Sequence, residues 1–169
     1  MLTQENGEVN LTILWIGRAI IVAAFIFCLV AIMILFNRHW NRVRDYRRAS
    51  DIQAIQNALN LYNSQLGTYP ATQVDLDGWD TSLDASGNGF LKEIKDKGWL
   101  SLNPFDPKND ASHYYRYRYF PAGSFGCTKP FAVFQVMQFE LPGIPGKGAC
   151  PAKDFTQEAP LGFTLKVDG

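Results

Sequence analysis

An uninterrupted apolar run at residues 19–36 constrains this chain more than any other feature, because it holds eighteen apolar residues and no charge. In an α-helix, which rises about 1.5 Å per residue, a run of this length covers about 27 Å, close to the thickness of the hydrocarbon core of a bilayer. Residues 11–15 are also apolar, apart from Thr12. We therefore predict a transmembrane helix over residues 11–36, preceded by a short polar N-terminus at residues 1–10.

The helical pattern continues through residues 37–66, which contain no proline or glycine. Apolar side chains recur there at spacings of three and four and form a stripe on one face of an amphipathic helix, at Ile52, Ile55, Leu59 and Tyr62. We expect this stripe to pack in a core and the opposite face, which includes Asp51, to be exposed. Gly67 and Pro70 then end the helix near Leu66.

The remaining residues, 67–169, have the pattern of a small domain built around an antiparallel sheet. The predicted elements are a short helix over 90–99, strands over 114–120 and 130–140, and an edge strand over 162–167. The Gly/Pro-rich residues 141–160 are expected to be irregular. The predicted fold class is therefore α+β: a single N-terminal transmembrane helix that continues into a long amphipathic helix packed on a small antiparallel sheet.

The first predicted strand, residues 114–120, alternates aromatic and basic residues in the sequence YYRYRYF. Because side chains alternate across a strand, its tyrosine face is expected to cover the helix stripe, while Arg116 and Arg118 face water. The same alternation could stack on and neutralise single-stranded nucleic acid. We favour the packing interpretation and do not expect nucleic acid as a partner.

The three cysteines fall in two different settings. Cys28 lies in the apolar run and is expected to act as a small apolar residue. Cys127 and Cys150 lie in loops rich in glycine and proline, so a disulfide between them is predicted for an oxidising compartment. Two unpaired thiols are the alternative.

Five arginines follow the apolar run and form a basic cluster that we expect at the membrane surface: Arg38, Arg42, Arg44, Arg47 and Arg48. Counted alone, they would hold the following domain in the cytoplasm, because basic flanking residues favour that side of a membrane. One interpretation is therefore a cytoplasm-facing, membrane-anchored binding module that uses this cluster on anionic lipid or nucleic acid.

One loop contains the pattern D-x-S-x-N-G, which makes Asp84, Ser86 and Asn88 weak candidate calcium ligands. Lys95 stands where a calcium loop has its bidentate glutamate, so a solvated turn is the alternative interpretation. Apart from this candidate, no catalytic, cofactor-binding or metal-binding site is predicted, since the two histidines lack a metal-ligand spacing and nucleotide or hydrolase motifs are missing. We expect a protein that is not an enzyme and has no cofactor.

Three motifs follow one another in residues 44–70: R-D-x-R-R, then D-I-x-x-I-x-x-A-L-x-x-Y, then G-x-Y-P. The residues that form them are Arg44, Asp45, Arg47, Arg48, Asp51, Ile52, Ile55, Ala58, Leu59, Tyr62, Gly67, Tyr69 and Pro70. This arrangement resembles the N-terminal helix of type IV pilin-like proteins, particularly the pseudopilins of type II secretion systems.

The resemblance implies a pilin-like fold and a single-pass protein of the cytoplasmic membrane, with its C-terminal domain outside the cytoplasm. It also implies a structural or interaction subunit, a minor component of a type II secretion or type IV pilus-like system. Its partners would be membrane lipid and other pilin-like or secretion-system subunits. Pilin precursors carry a Phe-Thr-Leu-Ile-Glu motif after a glycine, whereas residues 13–17 read ILWIG here and the glutamate is missing. We therefore expect an uncut N-terminus and no bulk filament.

Overall fold

The structure is a computed structural model of this chain, and it describes residues 11–72, 78–83, 89–100, 104–143 and 146–168. The chain divides into two compact units, one that ends at Trp40 and one that begins at Asn41. Among the described residues, every strand lies in the second unit.

Helix α1, Leu11–Leu66, is the longest element of the chain. Its end confirms the sequence prediction, because Gly67 adopts a φ of 70° and its N–H donates to the carbonyl oxygen of Asn63 at 2.8 Å. Glycine adopts this left-handed conformation without the steric penalty that a Cβ atom would impose. The helix therefore stops at Leu66.

In the first unit, the large apolar side chains of α1 are exposed from Trp15 to Phe36, with Phe27 reaching 75%. By length and composition, α1 is long and apolar enough to cross a membrane. No other helix in the described part of the chain meets these two conditions. An apolar surface of this extent needs an apolar medium or an apolar partner.

The second unit contains six-residue strands and several two-residue strands. In chain order they are β1 Asp80–Thr81, β2 Tyr115–Phe120, β3 Phe131–Val136, β4 Gly146–Lys147, β5 Ala149–Cys150, β6 Lys153–Asp154 and β7 Phe163–Asp168, with one short helix, α2, at Lys92–Asp96. Five strands form one sheet in the order β1-β2-β3-β7-β4, and β5 pairs with β6. Neighbours are antiparallel except β4, which runs parallel to β7. The predicted α+β class, with a small and mostly antiparallel sheet, is confirmed.

The last strand does not lie at the sheet edge, where the sequence predicted it. β7 pairs with β3 from Asp168, opposite Phe131, to Phe163, opposite Val136, and β4 covers its other side. β3 is buried along its whole length. A strand without an exposed face or edge needs a full-length neighbour on each side, and β2 and β7 fill these two places.

The larger of two cores lies between α1 and the sheet. Its main side chains are Ile55, Ala58, Leu59 and Tyr62 from the helix, and Tyr115, Tyr117, Phe134 and Val136 from the strands. Ile55 and Leu59 are fully buried, whereas Ile52 is partly buried and packs against this core. The helix stripe and the tyrosine face of β2 are thus in one cluster.

The opposite face of the sheet carries a second core, which the sequence analysis did not predict. It contains Trp79, Phe120, Phe131, Val133, Cys150 and Phe155. The expectation that Arg116 faces water was wrong: its guanidinium lies 4.1 Å from the ring centroid of Trp79 and donates to Gln135 and Glu158, each at 2.6 Å. Residues distant from the strand cover this face, so the strand's own pattern could not indicate it.

Asp51 does not lie on the exposed face of α1, where it was predicted, because only 8% of the residue is exposed. The hydroxyl of Tyr115 donates to its Oδ2 at 2.9 Å. Burial raises the pKa of the Asp51 carboxyl, although this hydrogen bond and the charge of Arg47 act in the opposite direction. Asp51 lies one turn before Ile55, so the packed face of α1 is wider than its apolar pattern.

Candidate functional site

A buried ion pair joins α1 to residues 104–108. Arg48 is fully buried, and its Nε and Nη2 donate to the two carboxylate oxygens of Asp106 at 2.7 and 2.8 Å. Asp106 also accepts the backbone N–H of Lys108 at 2.9 Å. Burial acts to lower the pKa of Arg48, but the hydrogen bonds and charges of Asp106 and Asp45 outweigh it and raise the pKa. Bidentate, charge-assisted pairs of this kind are among the strongest polar contacts in proteins.

Asp45 connects α1 to the loop that follows β3. Its Oδ1 accepts a hydrogen bond from Nη1 of Arg48 at 2.7 Å. Its two carboxylate oxygens also accept the backbone N–H groups of Glu140 and Leu141, at 3.0 and 2.9 Å. One carboxylate therefore holds two successive residues of the loop against the helix.

Glu140 forms ion pairs with two cationic side chains from different segments. Its Oε1 accepts Nε of Arg44 at 2.8 Å and lies 3.1 Å from Nζ of Lys108. Burial acts to raise the pKa of Glu140, but the hydrogen bonds and charges of Arg44 and Lys108 outweigh it and lower the pKa below its ordinary value. The Glu140 carboxyl is therefore ionised at neutral pH.

These contacts form one neutral group, which we call the charge cluster. Its cations are Arg44, Arg48 and Lys108, and its carboxylates are Asp45, Asp106 and Glu140. The three positive and three negative charges cancel. Each carboxylate is engaged by cations or backbone N–H groups. The cluster joins segments that are up to 96 residues apart.

The charge cluster divides the five arginines that were predicted to lie together at a membrane surface. The prediction was wrong for Arg48, which is fully buried, and Arg44 is half-buried. The other three are exposed: Arg38, Arg42 and Arg47. Among the described residues, no hydrogen bond or ion pair engages these three guanidinium groups.

The sequence contained one signal for the buried arginine. Arg48 precedes Ile52 by four residues and Ile55 by seven, so the helical period places it on the apolar stripe. A charged residue on a buried stripe needs a buried partner. No local pattern identifies Asp106 as that partner, because the two residues are 58 positions apart.

An open groove of about 340 Å3 lies beside the charge cluster, between α1 and the loop after β3. We call it the Tyr46 groove. The helix contributes Arg42, Tyr46 and Ala49, one turn apart, and the loop contributes Phe139 and Leu141. Tyr46 is 75% exposed although it is a large aromatic residue. The groove thus combines apolar walls with an exposed cation.

Cys127 and Cys150 form a disulfide, with their Cα atoms 5.5 Å apart. The bond lies at the second core, where Cys150 is buried and Cys127 packs against it. Cys28 is the free cysteine of the described residues and is exposed in the first unit.

The weak calcium candidates, Asp84, Ser86 and Asn88, lie outside the described residues. Within the described ranges, no group of three or more His, Cys, Asp or Glu side chains is arranged to hold a metal ion. The carboxylate of Asp110 is hydrogen-bonded to the backbone N–H groups of His113 and Ser112 and to the ring of His113. These hydrogen bonds lower the pKa of Asp110 to about 2. These bonds close a turn just before β2.

Comparison of this chain with protein-family models, with curated proteins and with solved structures gives no match.

Proposed function

We propose that this chain is a membrane-anchored, pilin-like or pseudopilin-like subunit with a structural or interaction role, a minor component of a type II secretion or type IV pilus-like system. One observation carries the proposal: a single helix has two different surfaces. α1 exposes large apolar side chains in the first unit, and in the second unit it buries Ile55 and Leu59 in the core beside the sheet. The exposed apolar surface has the length and composition of a membrane-spanning segment, and the buried surface is part of the core of a folded domain.

The residues that carry the family resemblance have structural roles in this fold, which supports the proposal. Arg44, Asp45 and Arg48 of the first motif belong to the charge cluster. The second motif supplies the helix side of the larger core. Gly67 of the third motif ends α1, and Tyr69 is buried in the same core. The motifs therefore coincide with positions where this architecture constrains the side chain.

We place the domain outside the cytoplasm in this proposal. The disulfide between Cys127 and Cys150 supports that location, because such bonds persist in oxidising compartments and are rare in the cytosol. The positive charge beside the apolar run is also smaller than the sequence suggested, since the charge cluster neutralises Arg44 and Arg48. This reduces the argument for retention in the cytoplasm.

Protease accessibility in right-side-out and inverted membrane vesicles from the native host tests this location. We expect the domain to be digested in right-side-out vesicles and protected in inverted ones. The opposite pattern would contradict the proposal and favour a cytoplasm-facing binding module.

Site-specific photocrosslinking in native membranes tests the interaction role. A photoreactive residue at Ile26, which is 55% exposed on α1, should give adducts with other pilin-like or secretion-system subunits. Lys129, an exposed residue of a loop in the sheet domain, is the control position. A complete lack of such adducts at Ile26 would contradict a role among those subunits.

A further inference from the structure

In the part of the chain that the structure describes, no carboxylate pairs with Arg42. The acid that shares the Tyr46 groove with it, Asp45, is already bonded to Arg48 and to two backbone N–H groups. The nearby Glu140 is engaged by cations of the charge cluster. An exposed guanidinium beside neutralised acids attracts an anion from outside the chain.

The walls of the Tyr46 groove are largely apolar. Ala49, Phe139, Leu141 and the ring of Tyr46 line it, and its volume of about 340 Å3 lies at the small end of the range of ligand sites. An occupant of matching chemistry has one anionic group for Arg42 and an apolar part for the walls. This description fits an anionic amphiphile.

The position of Arg42 in the chain keeps it near any bilayer that holds the apolar run. Arg42 follows Phe36, the last residue of that run, by six residues. Along α1, which rises about 1.5 Å per residue, six residues cover about 9 Å. The polar layer of a bilayer covers roughly 5–8 Å beyond each edge of the hydrocarbon core. Anionic headgroups beside the apolar run are therefore within reach of the long Arg42 side chain.

We infer that the Tyr46 groove binds the phosphate headgroup of an anionic phospholipid, with Arg42 as the residue that pairs with the phosphate. The inference rests on the membrane anchoring proposed above. A guanidinium presents a planar fork of donors that matches phosphate oxygens, and tyrosine is enriched at the level of the headgroups. The apolar walls then cover the glycerol and the first methylene groups.

Macromolecular anions match the groove less well. Single-stranded nucleic acid is bound by a track of cations with several exposed stacking rings. The groove has Arg42 as its cation and Tyr46 as its exposed ring. Arg47, the other exposed arginine of this part of α1, is not among the lining residues. An acidic peptide would meet the same shortage of cations.

The full chain in nanodiscs of equimolar phosphatidylglycerol and phosphatidylcholine tests the inference, with retained lipids counted by native mass spectrometry. One arginine near an anionic surface is worth roughly fivefold in affinity, so we expect about fivefold enrichment of phosphatidylglycerol on the wild-type chain. Arg42→Gln should remove most of it. Arg47→Gln is the matched control, because it removes the same charge from an exposed position outside the groove. Ala49→Phe fills the groove without a change in charge and should also reduce the enrichment.

Equal losses for Arg42→Gln and Arg47→Gln would reveal only diffuse electrostatic attraction and would overturn the inference. Absence of enrichment on an inserted wild-type chain would overturn it as well, but would leave membrane anchoring intact. Failure of the chain to insert would contradict the anchoring itself, and the inference with it. The detergent-solubilised chain is also tested for binding of an oligonucleotide and of an acidic peptide. If either binds in an Arg42-dependent way and phosphatidylglycerol does not, the ligand of the groove is a macromolecular anion and the lipid inference is overturned.

Discussion

The guanidinium of Arg48 and the carboxylate of Asp106 form a bidentate ion pair in which both side chains have no exposed surface. Two charges removed from water are tolerated only when each is neutralised and hydrogen-bonded by the other. The pair therefore fixes the segment around Asp106 against one particular turn of α1. The contacts of Asp45 and Glu140 fix the loop after β3 at the same place.

Replacement of Arg48 by Met should lower the free energy of unfolding by about 3–5 kcal/mol, because it leaves the carboxylate of Asp106 buried without its cation. Denaturant unfolding of the purified full chain in detergent, followed by tryptophan fluorescence, measures the change. The control is Arg47→Met on the same helix, which is exposed and should change stability by no more than about 0.5 kcal/mol. Similar losses for the two variants would contradict a special role of the buried pair.

Replacement of Leu59 by Ala should cost about 2–5 kcal/mol, since Leu59 is fully buried in the core between α1 and the sheet and its loss leaves a cavity. Asn60→Ala, at the next and exposed position, should change stability little. The same unfolding measurement applies. Small and equal effects at both positions would mean that the helix stripe does not contribute to a packed core.

Reduction of the disulfide between Cys127 and Cys150 should lower the free energy of unfolding by about 3 kcal/mol, because the open chain regains the entropy of a loop of 23 residues. Unfolding with and without reductant measures the effect, and non-reducing peptide mapping of protein from the native host verifies the pairing. Cys28→Ser is the control, since Cys28 is exposed and free. Free thiols at positions 127 and 150 in native protein would remove a main support for export.

Acid should weaken the fold through Glu140, whose pKa is lowered in the folded state from its ordinary value of 4.5. The unfolded chain then binds more protons than the folded chain between the two pKa values. Stability is therefore fully present above pH 4.5 and falls as the pH drops through the folded-state value. Unfolding free energies measured from neutral to acid pH should fall less steeply for Glu140→Gln than for the wild type.

A second carboxylate gives a contrast for the same measurement. The pKa of Asp110 is lowered from 3.8 to about 2, so Asp110→Asn should flatten the curve only at pH values below 3.8. If the curves of Glu140→Gln and the wild type run parallel throughout, Glu140 is not a source of the acid sensitivity.

The elements that the sequence predicted well are those specified by short periods. The apolar run, the stripe at Ile52, Ile55 and Leu59, and the helix end at Gly67 depend on residues within a few turns of one another. The antiparallel pairing of β2 and β3 follows from two consecutive strand-forming segments joined by one loop. Local geometry decides each of these features, so they can be read without knowledge of the rest of the chain.

The charge cluster and the second core could not be predicted in the same way. The helical period places Arg48 on the packed face, but any of several acids could have been its partner. The interior position of β7 likewise depends on which strand lies on the free side of β3. The sequence by itself determined the helix stripe and the tyrosine face of β2 that pack in the larger core, because both follow from local period and polarity. Only the tertiary structure decided which distant residues pair with the buried charges of α1 and which residues cover the second core. That choice depends on the packing of segments that are up to 96 residues apart.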